Sequence, residues 1–64
     1  MFLYKPLLRL LVKNDMSKTQ LREATGMSMN TLVKIFKNEY TSMATLDSIC
    51  KYFHCKIEDI IEFV

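Results

Sequence analysis

The chain has 64 residues, half of them apolar and a quarter charged, the balance of an ordinary globular domain. A single glycine, Gly26, cannot build a phosphate-cradling glycine-rich loop, and no apolar run approaches the roughly 20 residues that span a bilayer. The high apolar content also excludes a disordered chain, although a chain this short buries only about 60% of its unfolded surface. The net charge of +2 is uneven. Residues 1–37 carry seven Lys or Arg against two Asp or Glu, and residues 38–64 carry two against five. A basic half joined to an acidic half is expected where one surface faces a polyanion and another faces away.

Phe2-Leu3-Tyr4 is the one stretch that reads as extended, so residues 1–5 are expected to form an extended N-terminal arm. Pro6 suits the first turn of a helix, where its missing N–H costs little. Leu7, Leu10 and Leu11 then repeat at helical spacing, and the pattern ends near Asn14-Asp15. The apolar N-terminus resembles a signal peptide only superficially. Lys5, Pro6 and Arg9 interrupt it, and no small-residue cleavage site follows.

Ser17 predicts the N-cap of a second helix, with Gln20 completing a capping box. Leu21, Ala24 and Thr25 give that helix one face, and Gly26 suits a left-handed end. Ser28 predicts the cap of a third helix over about 28–37, with Met27 as the hydrophobic staple. Leu32, Ile35 and Phe36 supply its apolar positions. Asn38, the next-best left-handed residue, ends it. Ser42 caps a fourth helix with the stripe Met43, Leu46, Ile49, Cys50 and Phe53. After a break at His54-Cys55-Lys56, Ile57, Ile60 and Ile61 predict a last short helix. The β-branched residues are too dispersed for alternating strands. The expected fold is therefore all-α, with five short helices in one domain, 1–64.

The chemistry-bearing residues are few. Cys50, His54 and Cys55 form the one close Cys/His cluster, which offers three ligands where a structural zinc site wants four. Cys50 reads better as a small core residue, and His54 as a cation favoured at a helix C-terminus. Five residues apart on one helix, the two cysteines would point in different directions. They are expected to be reduced, which together with the absence of a leader suggests a cytoplasmic protein. No metal or cofactor is expected. A Cys–His nucleophile here lacks an orienting partner and an oxyanion hole, and Glu58, Asp59 and Glu62 read as a solvated face. An enzyme is not expected.

The segment from Ser17 to Lys37 carries the strongest signal. Two capped helices joined through Gly26 match a helix-turn-helix, whose second helix presents side chains to the major groove. Leu32 and Ile35 take its buried face, leaving Met29, Asn30, Val33, Lys34 and Lys37 opposite, with Thr31 alongside. The run from Met16 to Ser28, with Thr31-Leu32 and Lys34-Ile35, resembles the Cro/CI-type (Xre) helix-turn-helix regulators. The resemblance continues through Ser42–Cys50 and Ile57–Ile61 and covers about residues 6–62. It implies a compact, five-helix, lambda-repressor-like domain that binds operator DNA, commonly as a homodimer, with no small-molecule effector or membrane partner indicated.

By the same resemblance, Ser28, Met29, Asn30 and Thr31 match the base-reading start of the recognition helix, and Val33 and Lys34 match outward positions further along. Lys18 matches a phosphate-contacting position at the start of the second helix. Lys37, Asn38 and Ser42 lie in or beside the phosphate-contacting loop that follows the recognition helix. Three departures stand out. Arg22 replaces a small residue in the second helix and adds a phosphate-contacting candidate, its stem able to snorkel outward. Phe36 replaces an acidic residue, and Asn38 replaces a glycine. Met29 can touch only apolar groups such as a thymine methyl, whereas Asn30 can pair with adenine and Lys34 can reach guanine. Phe2, Leu3, Tyr4, Tyr52, Phe63 and Val64 are apolar residues left over from the five-helix core and are candidates for a dimer interface. Two other readings remain open: a protein-interaction module on the same fold, antitoxin-like or accessory, and a membrane-surface helix through Leu7–Val12.

Overall fold

A computed structural model describes all 64 residues, Met1–Val64. In chain order they form β1 (Phe2–Leu3), α1 (Lys5–Lys13), α2 (Lys18–Thr25), α3 (Met29–Phe36), α4 (Met43–Phe53), a 3-10 turn (Ile57–Asp59) and β2 (Glu62–Phe63). The helices are 8 to 11 residues long, too short to persist alone in water. They stand because their ends are capped and their apolar stripes meet. Nine residues form the core: Tyr4, Leu7, Leu11, Leu21, Leu32, Ile35, Leu46, Ile49 and Ile60.

The caps follow the sequence closely. Ser17 accepts from the Gln20 N–H while the Gln20 side chain accepts from the Ser17 N–H, a reciprocal box. Ser28 and Ser42 accept from the N–H groups of Thr31 and Thr45. Each helix then leaves through a left-handed residue. Gly26 closes α2 at φ 73°, and Asp15, Asn38 and His54 lie just past α1, α3 and α4 with φ of 52°, 58° and 54°. Asp, Asn and His are the non-glycine residues that tolerate this region best. After three of the helices the next N–H returns to a carbonyl five residues back: Met16 to Leu11, Glu39 to Lys34, and Cys55 to Cys50. Those bonds satisfy carbonyls that a helix end otherwise leaves orphaned.

The architecture departs from the all-α, five-helix expectation. There are four α-helices, and the segment expected as a fifth is a three-residue 3-10 turn, held by the Lys56 N–H donating to Asp59 Oδ2 at 3.0 Å. Ile60, fully buried, follows it, and the chain then extends. β2 pairs antiparallel with β1, Phe2 opposite Phe63 and Leu3 opposite Glu62. Phe2 therefore packs edge-on against Phe63 at 5.2 Å instead of standing in a free arm. Several stripe residues also fall outside the core. Met43 is 74% exposed at the first turn of α4, Ile57 lies at the surface, and Ala24 points to solvent. The Leu7–Val12 stripe faces inward. Leu7 and Leu11 are buried and Leu8 and Leu10 pack on the core, so only Val12 stands free.

Tyr4 is the largest correction. It is 3% exposed and belongs to the core, so it is not a residue left over for a dimer. Its N–H donates to Asn38 Oδ1 at 2.9 Å, and its hydroxyl donates to the Glu39 carbonyl at 3.0 Å and lies 3.2 Å from Thr41 Oγ1. The start of the chain is thus bonded to the loop that leaves α3.

The cysteines correct the expectation that they diverge. The left-handed turn at His54 takes Cys55 out of the helix and folds it back, so that its N–H reaches the Cys50 carbonyl at 3.1 Å. Contact between these two side-chain positions is the usual companion of such a helix end. Burial first, then the adjacent Cys50 thiol and the Asp59 carboxylate, push the Cys55 thiol above its ordinary 9.0.

Two predictions follow from these ends. Asn38→Ala puts a residue without the left-handed tolerance of Asn at φ 58° and orphans the Tyr4 N–H, and should lower stability by about 2 kcal/mol or more. Asn38→Gly keeps the turn without strain and orphans the same Tyr4 N–H, about 1 kcal/mol. Urea unfolding should rank wild type above Gly above Ala; Ala equal to Gly would remove the left-handed strain from the account. For Cys55, a raised folded-state value means the neutral thiol contributes stability that is intact below pH 9 and lost as pH rises through the folded value. The urea midpoint of wild type should therefore fall above pH 9 more steeply than that of Cys55→Ala.

Candidate nucleic-acid interface

The face of α3 away from the core is built by spacing alone. With Leu32 and Ile35 buried, residues 29, 30, 33, 34 and 37 line the opposite side of a 3.6-residue repeat. Met29 is 55% and Val33 43% exposed, and Asn30, Lys34 and Lys37 are exposed as well. Eight residues at 1.5 Å each make a rod about 12 Å long. With its side chains an α-helix is about 10–12 Å across, a width that a major groove about 12 Å wide admits.

Local bonding decides which of these side chains are free. Ser28 caps α3, its hydroxyl also lying 3.0 Å from Thr31 Oγ1. Both hydroxyls are therefore engaged within the helix start. Asn30 has no part in that cap, so its amide keeps all its donors and acceptors for another partner. Asn38 is committed through Oδ1 to the Tyr4 N–H, and Ser42 through its hydroxyl to the start of α4. These two shape the loop after α3, with their remaining polar atoms at the surface.

The cations are spread along the same side of the sequence. Lys34 and Lys37 lie on or just after α3. Lys18, at the first turn of α2, has its Nζ 4.4 Å from the centroid of the Phe36 ring, within the range of a cation–π contact. Arg22 follows one turn later, half-buried, with its Nε sealed from solvent and without a hydrogen-bond acceptor. The chain's salt bridge, Lys51 to Asp47 at 3.0 Å, lies on α4. Lys5, Arg9, Lys13, Lys18, Arg22, Lys34 and Lys37 all stand without a carboxylate partner. None of the four α-helices carries an acidic residue in its first turn.

Reasoning from sequence missed two contacts here. Phe36 was one of the stripe residues, and nothing in the local pattern linked it to Lys18, eighteen positions earlier. The role of Tyr4 in fixing the α3 exit was missed too, because its partners lie 34 to 37 residues away.

The proposed dimer residues divide. Leu3 is half-buried beside Glu62, and Tyr52 packs edge-on against Phe53 at 5.0 Å, lining a depression with Asp15, Met16 and Ala24. Phe2, Tyr52, Phe63 and Val64 stay exposed. Phe2 joins Tyr40, Met43 and Ile57 around an apolar groove of about 580 Å³ floored by Tyr4, Leu46 and Ile61. No group of three or more His, Cys, Asp or Glu gathers to hold a metal ion, and no helix is long and apolar enough to cross a membrane.

Comparison with known proteins agrees with this geometry. The chain is 46% identical to the transcriptional regulator VanUg and superposes on its crystal structure with a TM-score of 0.92, over 95% of this chain and 81% of that one. It is also 38% identical over 56 residues to the uncharacterized HTH-type transcriptional regulator YozG of Bacillus subtilis (strain 168), covering 84% of this chain and 67% of that protein. Both relatives are transcriptional regulators, a non-enzymatic class. Residues 6–64 match the Cro/C1-type HTH DNA-binding domain, and the chain belongs to that helix-turn-helix family.

Proposed function

We propose that this chain is a sequence-specific, double-stranded DNA-binding transcriptional regulator that represses by occupying an operator. Helix α3, with the capping Ser28 and the following Lys37, enters the major groove. The observation that carries this reading is the uncompensated charge on and beside α3: Lys34 and Lys37 on or just after it, and Lys18 and Arg22 on the packed α2, all without a carboxylate partner, next to a helix face on which the Asn30 and Lys34 side chains have no partner in the protein. Surface ion pairs contribute only about 0–1 kcal/mol to stability, so leaving these cations unpaired costs the fold little. Against a polyanion each one displaces a condensed counterion.

Within the face, Asn30 is the residue suited to read adenine through a bidentate amide pair, and Lys34 reaches guanine acceptors. Met29 and Val33 supply apolar contact, for which a thymine methyl is the matching group. Ser28 and Thr31 hold the helix start in place beside them. Lys18, Arg22 and Lys37 contact phosphate, and Asn38 and Ser42 set the loop that follows the backbone.

The operator-bound form is a homodimer. One copy of so small a reader makes few base contacts, and two-fold pairing sets recognition helices about 34–36 Å apart, one turn of DNA. Phe2, Phe63 and Val64, together with the groove beside Tyr40 and Met43, form the apolar surface available for pairing.

Titration into labelled random duplex DNA at several salt concentrations tests the reading. Log affinity should fall linearly with log salt, with a slope of several units. Lys34→Ala and Lys37→Ala should each lower that slope by about one. Asn30→Ala should cost about 1–3 kcal/mol on a selected operator and little on random DNA; equal losses on both would remove Asn30 as a reader. No binding at low salt would instead favour a protein-interaction module that uses the exposed methionines. Sedimentation with a two-half-site duplex should show two copies per DNA, and Phe63→Asp should reduce that to one. A single copy on the full site would remove the dimer.

A further inference from the structure

We propose that Phe36 is a positioning residue for DNA: its ring seats the Lys18 ammonium so that Lys18 and Arg22 present a pre-set pair of cations to the phosphate backbone. The proposal rests on the DNA-binding reading above and names how one of its phosphate contacts is fixed.

Lys18 opens α2 and Phe36 closes α3. The two are brought together only by the crossing of those helices, with the ammonium 4.4 Å from the ring centroid. The ring itself has little freedom, because Phe36 is half-buried and packed on the core. The lysine, by contrast, is exposed and bonded to no carboxylate. An exposed lysine ordinarily samples many rotamers, and fixing one on binding costs entropy. The ring's negative face selects a rotamer in advance.

A carboxylate in the place of Phe36 would hold the ammonium too, but it would cancel the charge that attracts phosphate. The ring orients the cation and leaves its full charge. That difference makes the contact useful to a DNA-binding surface and not only to the fold. Arg22 follows Lys18 by four residues and so lies on the same side of α2. Its Nε is sealed in the protein, which fixes where the guanidinium leaves the surface. The side chain is half-buried as a whole, so its stem is held while the charged head still reaches water. Two cations one helical turn apart, neither neutralised, are placed to face successive phosphates of a backbone strand.

The test is a double-mutant cycle read by anisotropy on random duplex DNA at several salt concentrations. Lys18→Met should weaken binding and lower the salt slope by about one. Phe36→Leu should weaken binding about two- to five-fold, the range of one exposed cation–π contact, while leaving the slope unchanged because no charge is lost. Phe36→Tyr keeps the ring and should bind like wild type. In the Lys18→Met background, Phe36→Leu should have no further effect. An equal loss with and without Lys18 would show that Phe36 acts through packing alone and would overturn the proposal. Proton NMR of the free wild-type chain keeps the question answerable if Phe36→Leu unfolds. The Lys18 ε-methylene protons should lie upfield of those of the other lysines through the ring current, and ordinary shifts there would overturn the seat. Wild type that shows the upfield shift but binds no DNA at any salt would overturn the DNA-binding reading, and with it the role given to the seat, while leaving the seat itself in place.

Discussion

The hydrogen bonds between Tyr4 and the loop after α3 hold the molecule together in a way no single helix does. The tyrosine ring fills the core, its N–H meets Asn38, and its hydroxyl meets Glu39 and Thr41. The strand pair, the start of α1 and the exit of α3 are therefore one unit. A chain of this size has total stability of only about 3–10 kcal/mol at the usual 0.05–0.15 per residue. Part-buried hydrogen bonds worth about 1 kcal/mol each are then a substantial share. The same bonds set the attitude of α3, since the loop that leaves it cannot swing without breaking them. Helix α3 is thus anchored at its far end by Tyr4 and at its near end by the Ser28 cap.

The way the helices are capped bears on function as well as on stability. Asp and Ser cap a helix about equally well, and Asp adds a favourable interaction with the helix dipole. All three side-chain caps of the α-helices are serine, and no α-helix carries a carboxylate in its first turn. A charged cap at α2 or α3 would place a negative group beside the cations proposed to face phosphate. Neutral caps satisfy the same orphan N–H groups without that repulsion. The single ion pair of the chain sits on α4, in the half of the sequence that is net acidic. The ion pair thus lies off α2 and α3, whose Lys18, Arg22, Lys34 and Lys37 stand without a carboxylate partner.

How much of this could be read from the sequence depends on the range of the interaction. Ser17 with Gln20, Ser28, Ser42, Gly26 and Asn38 act within a few residues of themselves, and each was legible as a cap or a turn. The leucine and isoleucine positions of the core were legible from their spacing. Met43 and Ile57 share that spacing and still lie at the surface, because each begins its element, where little packs over the first turn. The strand pair was not legible. Two residues at one end of the chain meet two at the other, and no local alternation announces a ladder that short. Asp15 and His54 were missed as left-handed ends because neither is glycine, although both belong to the types that tolerate the conformation. Of the candidate site, the outward face of α3 followed from helical periodicity. The commitment of Asn38 to Tyr4 and the seat of Lys18 on Phe36 needed the tertiary crossing of elements and had no signal along the chain.

The size of the surface also bears on how many copies must act. A single DNA-reading module of this kind covers roughly 600–1,000 Å² of protein. The chain exposes 4397 Å² in all, so a contact of that size would take about a seventh to a quarter of it. Several large apolar side chains remain outside that area, among them Phe2, Tyr40, Phe63 and Val64. They cluster where the strand pair meets the loop after α3, with Phe2 edge-on to both Phe63 and Tyr40. A contiguous apolar patch of this kind is a candidate association surface. Its position next to the α3 exit means that a copy bound there would be fixed relative to the recognition helix through the same Tyr4 bonds that fix the helix itself. In a dimer built on this patch, as proposed above, the hydrogen bonds of one tyrosine would set the spacing of the two α3 helices, which would couple the stability of the small fold to that spacing.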